Sequence, residues 1–332
     1  MLNVGIIGLG VGGKHANIYE NDARCNLLGI YDFDDEKLKY FKSKFPNIKI
    51  YNSDLEILND EKIDLISIAS YDNYHFKQII NAINKNKHVM VEKPICLNKK
   101  ELNQIIKAKA KKNNIKLSSN LVLRANQRMI GLKNDIRSSR FGDIYFIEAD
   151  YFWGRIEKLN GWRSKMNYYS IILGAAIHMI DLVIWMLDSK PISVYALGNK
   201  IGSKNTKLKF NSFAVILLKF SNDLIVKITG NGPCVHPHFH GVRIFGSKQT
   251  MIHNFSESYF FDRYKSRINK NDLITKNSKN TNKDKVITNF IDSILNPEMN
   301  PIVEQKDIYD VMSVCFAAEK STFTKQMVKI NY

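Results

Sequence analysis

The sequence predicts an α/β chain in which a doubly wound parallel sheet is followed by an α+β domain with a large, mostly antiparallel sheet. One observation is a strict alternation of short β-rich runs and amphipathic helical stretches over residues 1–119. Another is a series of longer strands joined by hairpin signals over residues 120–332. These two ranges are the predicted domains.

The first domain is built from βα repeats. Each apolar run is followed by a stretch in which apolar residues recur at helical spacing, as a parallel sheet with crossover helices requires. The predicted strands cover residues 3–7, 26–31, 65–69, 88–91 and 116–119, and the predicted helices cover residues 14–21, 35–45, 75–85 and 99–112.

In the second predicted domain, strands follow one another along the chain with few helices between them. A hairpin signal, Ser221-Asn222-Asp223, joins two of its strands directly, which is typical of antiparallel pairing. No internal repeat is visible. The predicted strands cover residues 143–153, 192–198, 212–220, 223–231 and 242–245, and helices are predicted at residues 171–187 and 305–322.

The composition, 44% apolar and 24% charged residues, is that of a soluble globular protein. The first residues are predicted to form a strand and not a signal peptide, and no apolar run is long enough to span a bilayer, so no membrane partner is predicted. The four cysteines form no CxxC pair, which argues against a zinc knuckle and a disulfide framework. We therefore expect a cytoplasmic location.

The net charge of +17 raises the question of a nucleic-acid partner. The lysines are spread along the whole chain, and the densest run, residues 270–285, contains no aromatic residue that could stack on a base. It is predicted to be an exposed loop, and no nucleic-acid partner is expected. The excess of positive charge would instead attract an anionic small substrate.

A glycine-rich turn, VGIIGLGVGGKHA, lies between the first predicted strand and helix and has GxGxxG spacing. Gly8 permits the tight turn, Gly10 lets a pyrophosphate approach the backbone, and Gly13 lets helix and strand pack closely. The helix N-terminus offers free N–H groups to the phosphates, so we expect Val11 and Gly12 to contact the cofactor as well. The pattern predicts a Rossmann dinucleotide-binding unit.

The second predicted strand ends in a carboxylate. Asp32 follows Gly13 by 19 residues, near the place where an acidic residue binds the ribose hydroxyls of NAD. The next three residues, Phe33, Asp34 and Asp35, include no arginine that would accept a 2′-phosphate. The predicted cofactor is therefore NAD(H) and not NADP(H).

Two titratable residues, His178 and Asp181, share one face of the very apolar stretch IILGAAIHMIDLVIW. They are either a buried structural pair or a catalytic imidazole with a structural neighbour. A second group, CVHPHFHG, places His236, His238 and His240 in alternation, which in a strand would point them to one face. No acidic or cysteine ligand accompanies them, so we predict no metal site and expect His240 to line a substrate pocket.

Four more segments complete a family resemblance: EKP at residues 92–94, GWR at 161–163, HMIDLVIWML at 178–187 and FAAEKS at 316–321. With GxGxxG and GKHA, they resemble the glucose–fructose oxidoreductase/inositol dehydrogenase (Gfo/Idh/MocA-type) family, in the right order over nearly the whole chain. The resemblance implies a Rossmann domain that binds NAD(P) and a sheet domain. One sheet face would form the substrate cleft, and the other would mediate a homo-oligomer, a dimer or tetramer.

The resemblance also implies that Lys93 lies beside the nicotinamide and the reacting carbinol, and that the Lys93–Pro94 bond is cis. An ammonium group there would stabilise an alkoxide or donate a proton, and Glu92 would orient Lys93 or the cofactor. The alternative is an ordinary surface lysine. Pro94 belongs to the same predicted cofactor site.

Further site residues are predicted partly from the family pattern and partly from their position in the chain. The loop after residue 69 would lie under the nicotinamide ribose; the alternative is a polar loop in which His75 caps the next helix. A tryptophan–arginine pair would suit an anionic group on cofactor or substrate. Cofactor contacts are thus predicted for Ser70, Asn73, His75, Asn120, Trp162 and Arg163, and substrate contacts for Arg124, Tyr169, His178 and His240.

One part of the family pattern is missing. Relatives carry an aspartate four residues before the histidine, where this chain has Gly174, and a glycine run where it has Tyr168–Ser170. His178 and Lys93 are then the remaining catalytic candidates. We expect Gly174 to leave space for a bulkier substrate group. Tyr168 or Tyr169 would either supply a compensating hydroxyl or simply pack.

The sequence therefore predicts an NAD-dependent dehydrogenase or reductase acting on a CH–OH group of a sugar-like substrate. The missing aspartate and the basic charge favour an anionic substrate, such as a nucleotide sugar or sugar acid. The segment LGAAIHMIDL resembles that of family members in surface-glycan synthesis, and the resemblance implies the same role here. Three alternatives stay open: a polyol or inositol-type dehydrogenase, a non-catalytic NAD-binding sensor, and a redox-neutral lyase or hydrolase that recycles NAD.

Overall fold

The computed structural model describes residues 1–255, 257–262 and 284–332, and they form two compact units. The first unit contains Met1–Val122 and Lys283–Tyr309, and the second contains Leu123–Asn282 and Asp310–Tyr332. The predicted boundary near residue 120 has a counterpart here. The assignment of residues 283–309 differs, because this segment packs with the first unit.

The first unit contains a six-stranded parallel sheet in the order β3-β2-β1-β4-β5-β6. This is the strand order of the dinucleotide-binding fold, in which the direction of progression reverses between β1 and β4. The central strands are buried on both faces, as a covered parallel sheet requires. The strands are β1 (Leu2–Ile7), β2 (Cys25–Tyr31), β3 (Lys49–Ile50), β4 (Leu65–Ile68), β5 (His88–Val91) and β6 (Leu117–Ser119).

Five helices connect these strands, and short polar side chains define where three of them begin. Asp34, Ser53 and Asn98 each accept a hydrogen bond from a main-chain N–H group in the first turn of the helix that follows. The sequence pattern misses β3 and the third helix because both are very short. The helices are α1 (Gly12–Glu20), α2 (Asp35–Lys44), α3 (Asp54–Asn59), α4 (Asp72–Asn84) and α5 (Lys99–Ala110).

The second unit contains an eight-stranded sheet in the order β13-β12-β11-β7-β10-β9-β8-β14. Among its described strands only β7 and β10 pair in parallel, so the predicted antiparallel character is confirmed. Helix α6 (Gln127–Arg137) precedes it. The strands are β7 (Ile144–Phe152), β8 (Ser193–Asn199), β9 (Phe213–Lys219), β10 (Ile225–Asn231), β11 (Phe239–Gly246), β12 (Gln249–His253), β13 (Ser258–Asp262) and β14 (Val328–Lys329).

The predicted helix at residues 171–187 has two parts. Ile172–Ala176 form a π-helical turn, and α7 (Ile177–Leu187) follows it directly. A single π turn inside an α-helix is rare and often lies at a functional site. His178 is the second residue of α7, immediately after this turn.

The C-terminal segment returns to the first unit through α8 (Lys285–Leu295), and the division between the units falls inside α9 (Gln305–Thr324). Lys116 donates hydrogen bonds to the main-chain oxygens of Pro297 and Met299 at 3.2 and 3.0 Å, and Ser118 donates to that of Val303 at 2.8 Å. These bonds explain why the segment belongs with β6. Residues 270–283 of the predicted exposed loop lie outside the described residues.

None of the described helices combines the length and the apolar composition that a membrane span needs.

A buried ion pair joins the start of the second unit to α7. The guanidinium group of Arg124 donates to Asp181 Oδ1 from Nη2 at 2.7 Å and from Nε at 3.0 Å, and both side chains are almost fully buried. Asp181 is thus a structural partner. Arg124 is predicted to contact the substrate, but its burial and its bonds to Asp181 argue for a structural role instead.

We expect Asp181→Ala to lower the free energy of unfolding by about 3–5 kcal/mol, because it leaves a buried guanidinium group without its carboxylate. Urea denaturation followed by circular dichroism measures this loss. The control is Lys39→Ala, whose ion pair with Glu36 is exposed on both sides and is worth at most about 1 kcal/mol. Equal losses in the two variants would contradict the structural role of Asp181.

Candidate active-site elements

The glycine-rich turn between β1 and α1 has the shape that a dinucleotide needs. Gly8 has φ +89°, and a Cβ atom there would lie 2.5 Å from the main chain of Ala69 and Ser70. By contrast, a Cβ atom at Gly10 would meet no described atom within 4 Å. The turn therefore requires glycine at its first position and is open at the position where a pyrophosphate is expected to approach.

The next two glycines allow close packing. A Cβ atom at Gly13 would lie 2.3 Å from the ring of Phe41 in α2, whereas one at Gly12 would lie 3.2 Å from Ile6 in β1. The helix–strand contact predicted for Gly13 thus belongs to Gly12. The prediction names the wrong glycine because spacing alone does not show which side of α1 faces the sheet.

Asp32, at the end of β2, is tied to the glycine turn. Its carboxylate accepts hydrogen bonds from the N–H groups of Leu9 at 2.6 Å and Asp34 at 2.9 Å, and the side chain is nearly buried. Lys37 Nζ lies 3.8 Å from the carboxylate, a cation that the sequence pattern does not reveal. The preference for NAD over NADP remains a prediction.

A buried network lies at the carboxyl ends of β4, β5 and β6. Glu92 Oε1 accepts a hydrogen bond from Asn120 Nδ2 at 2.7 Å and contacts His15 Nε2 at 3.2 Å, and His15 Nδ1 contacts Ser67 Oγ at 2.9 Å. Burial raises the pKa of Glu92, but the hydrogen bonds from His15 and Asn120 and the charge of Lys93 outweigh it and lower this pKa to about 2. Glu92 is therefore ionised at neutral pH.

Asn120 keeps one polar atom available. Its Oδ1 is buried and has no hydrogen-bond partner among the described residues. Because a buried carbonyl oxygen normally accepts a hydrogen bond, this atom fits a donor supplied by a ligand. With the open turn at Gly10, it indicates that the residues of the first unit suit a dinucleotide. His15 is missed as a site residue, although the GKHA motif contains it.

Lys93 is half-buried and directly follows Glu92, and the peptide bond between Lys93 and Pro94 is cis, as predicted. His75 is fully buried, and its ring nitrogens contact the main-chain oxygens of Pro94 at 2.7 Å and Ser70 at 3.0 Å. The ring of His75 therefore connects the loop that contains Ser70 with the loop that contains Pro94. The helix-cap alternative does not describe these contacts, and the predicted cofactor contact of His75 stays a prediction.

Two other predicted cofactor residues precede α4 or lie in its first turn. Ser70 donates its hydroxyl hydrogen to Gln78 at 2.7 Å, and Asn73 is exposed. Their predicted roles remain predictions.

In the second unit, His178 belongs to a cluster of aromatic and imidazole rings. Its ring stacks on that of Tyr151 at a centroid distance of 5.8 Å, and His238 and His240 approach Tyr151 edge-on at 5.2 and 4.9 Å. Burial raises the pKa of Tyr151 to about 12, so its hydroxyl stays protonated near neutral pH. The cluster presents imidazole nitrogens and a neutral phenol, groups suited to proton exchange and to binding sugar hydroxyls.

The predicted alternation of three histidines holds for two of them. His236 packs instead against Phe152 at 4.8 Å, and residues 151 and 152 of β7 face opposite sides of the sheet. Strand β11 begins only at Phe239, so strand alternation does not extend back to His236. Among the described residues, no group of three or more side chains is arranged to hold a metal ion.

The space expected at Gly174 is occupied. A Cβ atom at Gly174 would lie 2.2 Å from the hydroxyl oxygen of Tyr169, whose side chain is almost fully buried. The expectation of an open space is thus wrong, because the side chain of Tyr169 already lies there. Tyr169 puts a hydroxyl where a side chain at position 174 would begin, which favours the compensating-hydroxyl interpretation.

Arg163 lies among aromatic rings. Its guanidinium carbon is 4.3 Å from the ring centroid of Trp162, 4.9 Å from that of Trp153 and 5.9 Å from that of Tyr169. Its Nε is buried and has no hydrogen-bond partner among the described residues. This donor fits the predicted contact with an anionic group on cofactor or substrate.

A second buried carboxyl group supports the π turn. Glu319 in α9 hydrogen-bonds to the hydroxyl groups of Tyr168 and Ser170, and Ser170 Oγ also accepts from the N–H groups of Ile172 and Leu173 at 3.0 Å. Removal from water raises the pKa of Glu319 to about 8. Glu319 is therefore mostly protonated at pH 7. The sequence offers only the FAAEKS motif as a signal for it.

Two family models match this chain. Residues 2–121 match the oxidoreductase family model with an NAD-binding Rossmann fold, and residues 130–252 match the GFO/IDH/MocA C-terminal domain. The two models together cover more than half of the chain.

Curated relatives are named as dehydrogenases. The myo-inositol 2-dehydrogenase of Thermotoga maritima is 24% identical over 74% of this chain and 73% of that protein. The glucose-6-phosphate 3-dehydrogenase of Bacillus subtilis is 28% identical over 69% and 67% of the two chains. The inositol 2-dehydrogenase of Salmonella typhimurium is 23% identical, and the match spans 58% of this chain and 57% of that protein.

Solved structures show the same fold over the whole chain. Myo-inositol 2-dehydrogenase from Lactobacillus plantarum superposes with a TM-score of 0.84 at 20% identity, covering 99% of both chains. Scyllo-inositol dehydrogenase from Lactobacillus casei, with bound NAD(H) and scyllo-inositol, superposes with a TM-score of 0.82 at 20% identity and the same coverage.

The ionisation of Glu319 predicts a pH-dependent stability. Between about pH 4.5 and 8 the folded protein holds a proton that the unfolded chain releases, so this group lowers the stability of the wild type as pH rises. We expect Glu319→Gln to remove this contribution and to raise Tm relative to the wild type more at pH 8 than at pH 5. Differential scanning fluorimetry across this range measures it, with exposed Glu20→Gln as control. A constant Tm difference would contradict the raised pKa.

The carboxylate of Asp32 predicts cofactor preference. We expect a higher kcat/KM with NAD than with NADP. We expect Asp32→Asn to lower the ratio of kcat/KM with NAD to kcat/KM with NADP about tenfold or more, because removing the carboxylate charge removes about 1.4 kcal/mol of repulsion of the 2′-phosphate. Steady-state kinetics with both cofactors measures the ratio. Asp35→Asn, at an exposed neighbouring position, should leave it unchanged. A wild-type preference for NADP would refute the assignment.

Proposed function

The chain belongs to the GFO/IDH/MocA family of oxidoreductases with an NAD-binding Rossmann fold, and we propose that it transfers a hydride between nicotinamide and a ring carbinol or ketone of a sugar-like substrate. The observation that carries this proposal is Lys93, which is held next to the ionised Glu92 in the network with His15 and Asn120. A half-buried lysine in this setting is suited to proton transfer in a way that a surface lysine is not.

The residues proposed to hold the dinucleotide are those of the glycine turn, Asp32 and Asn120. The open approach at Gly10 and the main-chain N–H groups at the start of α1 suit phosphates. Asp32 would accept hydrogen bonds from ribose hydroxyls, and Asn120 Oδ1 would accept one more from the cofactor. When bound, the nicotinamide ring supplies the hydride chemistry.

Lys93 and His178 are proposed to transfer the proton of the substrate hydroxyl group. Glu92 is a carboxylate at neutral pH, and the charge of the neighbouring Lys93 ammonium group helps to keep the Glu92 pKa low. That ammonium group stabilises negative charge on the substrate oxygen and donates a proton when a ketone is reduced. His178, stacked on the neutral Tyr151, is the proposed proton acceptor when a carbinol is oxidised.

The substrate is proposed to be a ring carbinol that carries an anionic group, such as a nucleotide sugar or a sugar acid. The net charge of +17 supports an anionic substrate. Tyr169, which fills the place of a side chain at Gly174, sets this chain apart from the Asp-containing pattern of inositol dehydrogenases. The inositol-type alternative is favoured by the names of the curated relatives.

We also propose that the enzyme is a homo-oligomer. Apolar side chains on neighbouring strands of the second sheet are exposed: Leu197 in β8 and Leu217 in β9 are each 42% exposed, and Ile225 in β10 is 47% exposed. An apolar sheet face of this kind is suited to pairing with a second copy.

The proposed catalytic role of Lys93 is tested by Lys93→Ala. We expect kcat to fall about 10²- to 10⁴-fold, because the proton donor is lost, while NAD affinity measured by calorimetry changes less than about threefold. The substrates to screen are myo-inositol, glucose 6-phosphate, UDP-linked hexoses and their uronic acids. Exposed Lys100→Ala in α5 is the matched control and should retain full activity.

The outcomes of this screen separate the open alternatives. Turnover of free inositol with none on nucleotide sugars would support the polyol dehydrogenase. An active Lys93→Ala variant would refute the role of Lys93. NAD binding with no turnover of any substrate by the wild type would favour the sensor.

A further inference from the structure

A cavity of about 560 Å³ lies within the second unit, apart from the ring cluster around His178. Its wall is formed by the residues that precede the π turn, by the chain that follows β8 and by the last turns of α9. This volume is typical of sites for small organic molecules. None of the roles proposed above for the catalytic residues uses this cavity.

Three lysines stand at the edge of the cavity. Lys200, Lys204 and Lys209 are exposed, and their ammonium groups form no ion pair with any residue that the structure describes. The one acidic side chain in the wall, Glu319, is mostly protonated at pH 7. The cavity therefore carries uncompensated positive charge, which favours a ligand with more than one negative charge.

Aromatic and apolar side chains complete the wall. The rings of Tyr168 and Phe210 pack edge to face at 5.5 Å, and the ring of Phe323 lies 6.5 Å from that of Tyr168. Phe323 is 70% exposed and Ile201 is 68% exposed, values that leave much apolar surface open to water. Such surfaces bind flat rings well, so the ligand is expected to combine an aromatic ring with its negative charges.

The cavity adjoins the turn that leads to His178. Tyr168 and Tyr169 both line it, and the hydroxyl oxygen of Tyr169 lies 2.2 Å from where a Cβ atom of Gly174 would be. Gly174 precedes His178 by four residues, with the π turn between them. A ligand held in the cavity is thus separated from the proposed proton acceptor by a few residues of one continuous element.

We propose that this cavity binds the nucleoside diphosphate part of the substrate, with the three lysines on the diphosphate and the aromatic wall on the base. The proposal rests on the proposed function, because it names the substrate class of the same enzyme. A nucleoside diphosphate meets both demands of the cavity, whereas inorganic phosphate lacks the ring. A membrane surface would fit a convex apolar patch better than a concave cavity.

The test uses UDP as the probe and needs no turnover. Calorimetry is performed on the full chain saturated with NAD, so that UDP does not report on the glycine turn. We expect UDP to bind in the micromolar range, and we expect the triple variant K200A/K204A/K209A to bind it at least tenfold more weakly. The control K219A/K248A/K329A removes the same charge from exposed positions of the second unit outside the cavity and should bind within about twofold of the wild type.

A second variant tests the aromatic half. Phe323→Ala is expected to weaken UDP binding about fivefold or more while leaving binding of inorganic pyrophosphate unchanged. No UDP binding at millimolar concentration, equal loss in both triple variants, or binding to phosphatidylglycerol vesicles without binding to UDP would each overturn the proposal. Because Lys93 is untouched in these variants, loss of the UDP site and failure of the proposed chemistry are distinguishable.

Discussion

The ionised carboxylate of Glu92 is the constraint on which the first unit depends. A buried negative charge is stable only when hydrogen-bond donors and cations surround it. Here the donors come from α1, through His15, and from the end of β6, through Asn120, while His15 also contacts Ser67 in β4. The carboxylate of Glu92 therefore connects α1 with the ends of β4, β5 and β6. Lys93 follows Glu92 directly in the chain, so this network also fixes the main-chain position of Lys93.

The second unit also contains a carboxyl group withdrawn from water, but there the protonated form is favoured. Glu319 is also withdrawn from water, but its hydrogen-bond partners are the hydroxyl groups of Tyr168 and Ser170, and no described cation forms an ion pair with it. Its pKa therefore rises, whereas that of Glu92 falls. Two carboxyl groups in one chain thus take opposite protonation states near neutral pH because their partners differ. The neutral Glu319 stabilises the residues before the π turn through its hydrogen bonds, and it adds little negative charge to the cavity lined by the three lysines.

Local patterns were enough to predict the parts of the fold that depend on sequence neighbours. The alternation of strands and helices, the glycine turn and the position of Asp32 all follow from short-range periodicity and spacing. Partners that are distant in sequence did not follow. Arg124 meets Asp181 across 57 residues, and residues 283–309 return to β6 across more than 160, so neither pairing leaves a local signal. Likewise, the side chain of Tyr169 fills the space at Gly174, and sequence spacing alone does not show where that side chain lies.

The π turn before α7 has a consequence for which changes in chain length this protein can tolerate. Each residue of an α-helix advances the direction of the next side chain by about 100°. The π turn at Ile172–Ala176 inserts one such step immediately before α7, so it sets the angular phase of every side chain that follows. Losing a single residue there would rotate the imidazole at 178 off Tyr151 and Asp181 away from Arg124 together. The imidazole of His178 and the buried ion pair therefore depend on the same helical phase. We expect this segment to tolerate exchanges among its apolar side chains but not a change in its length.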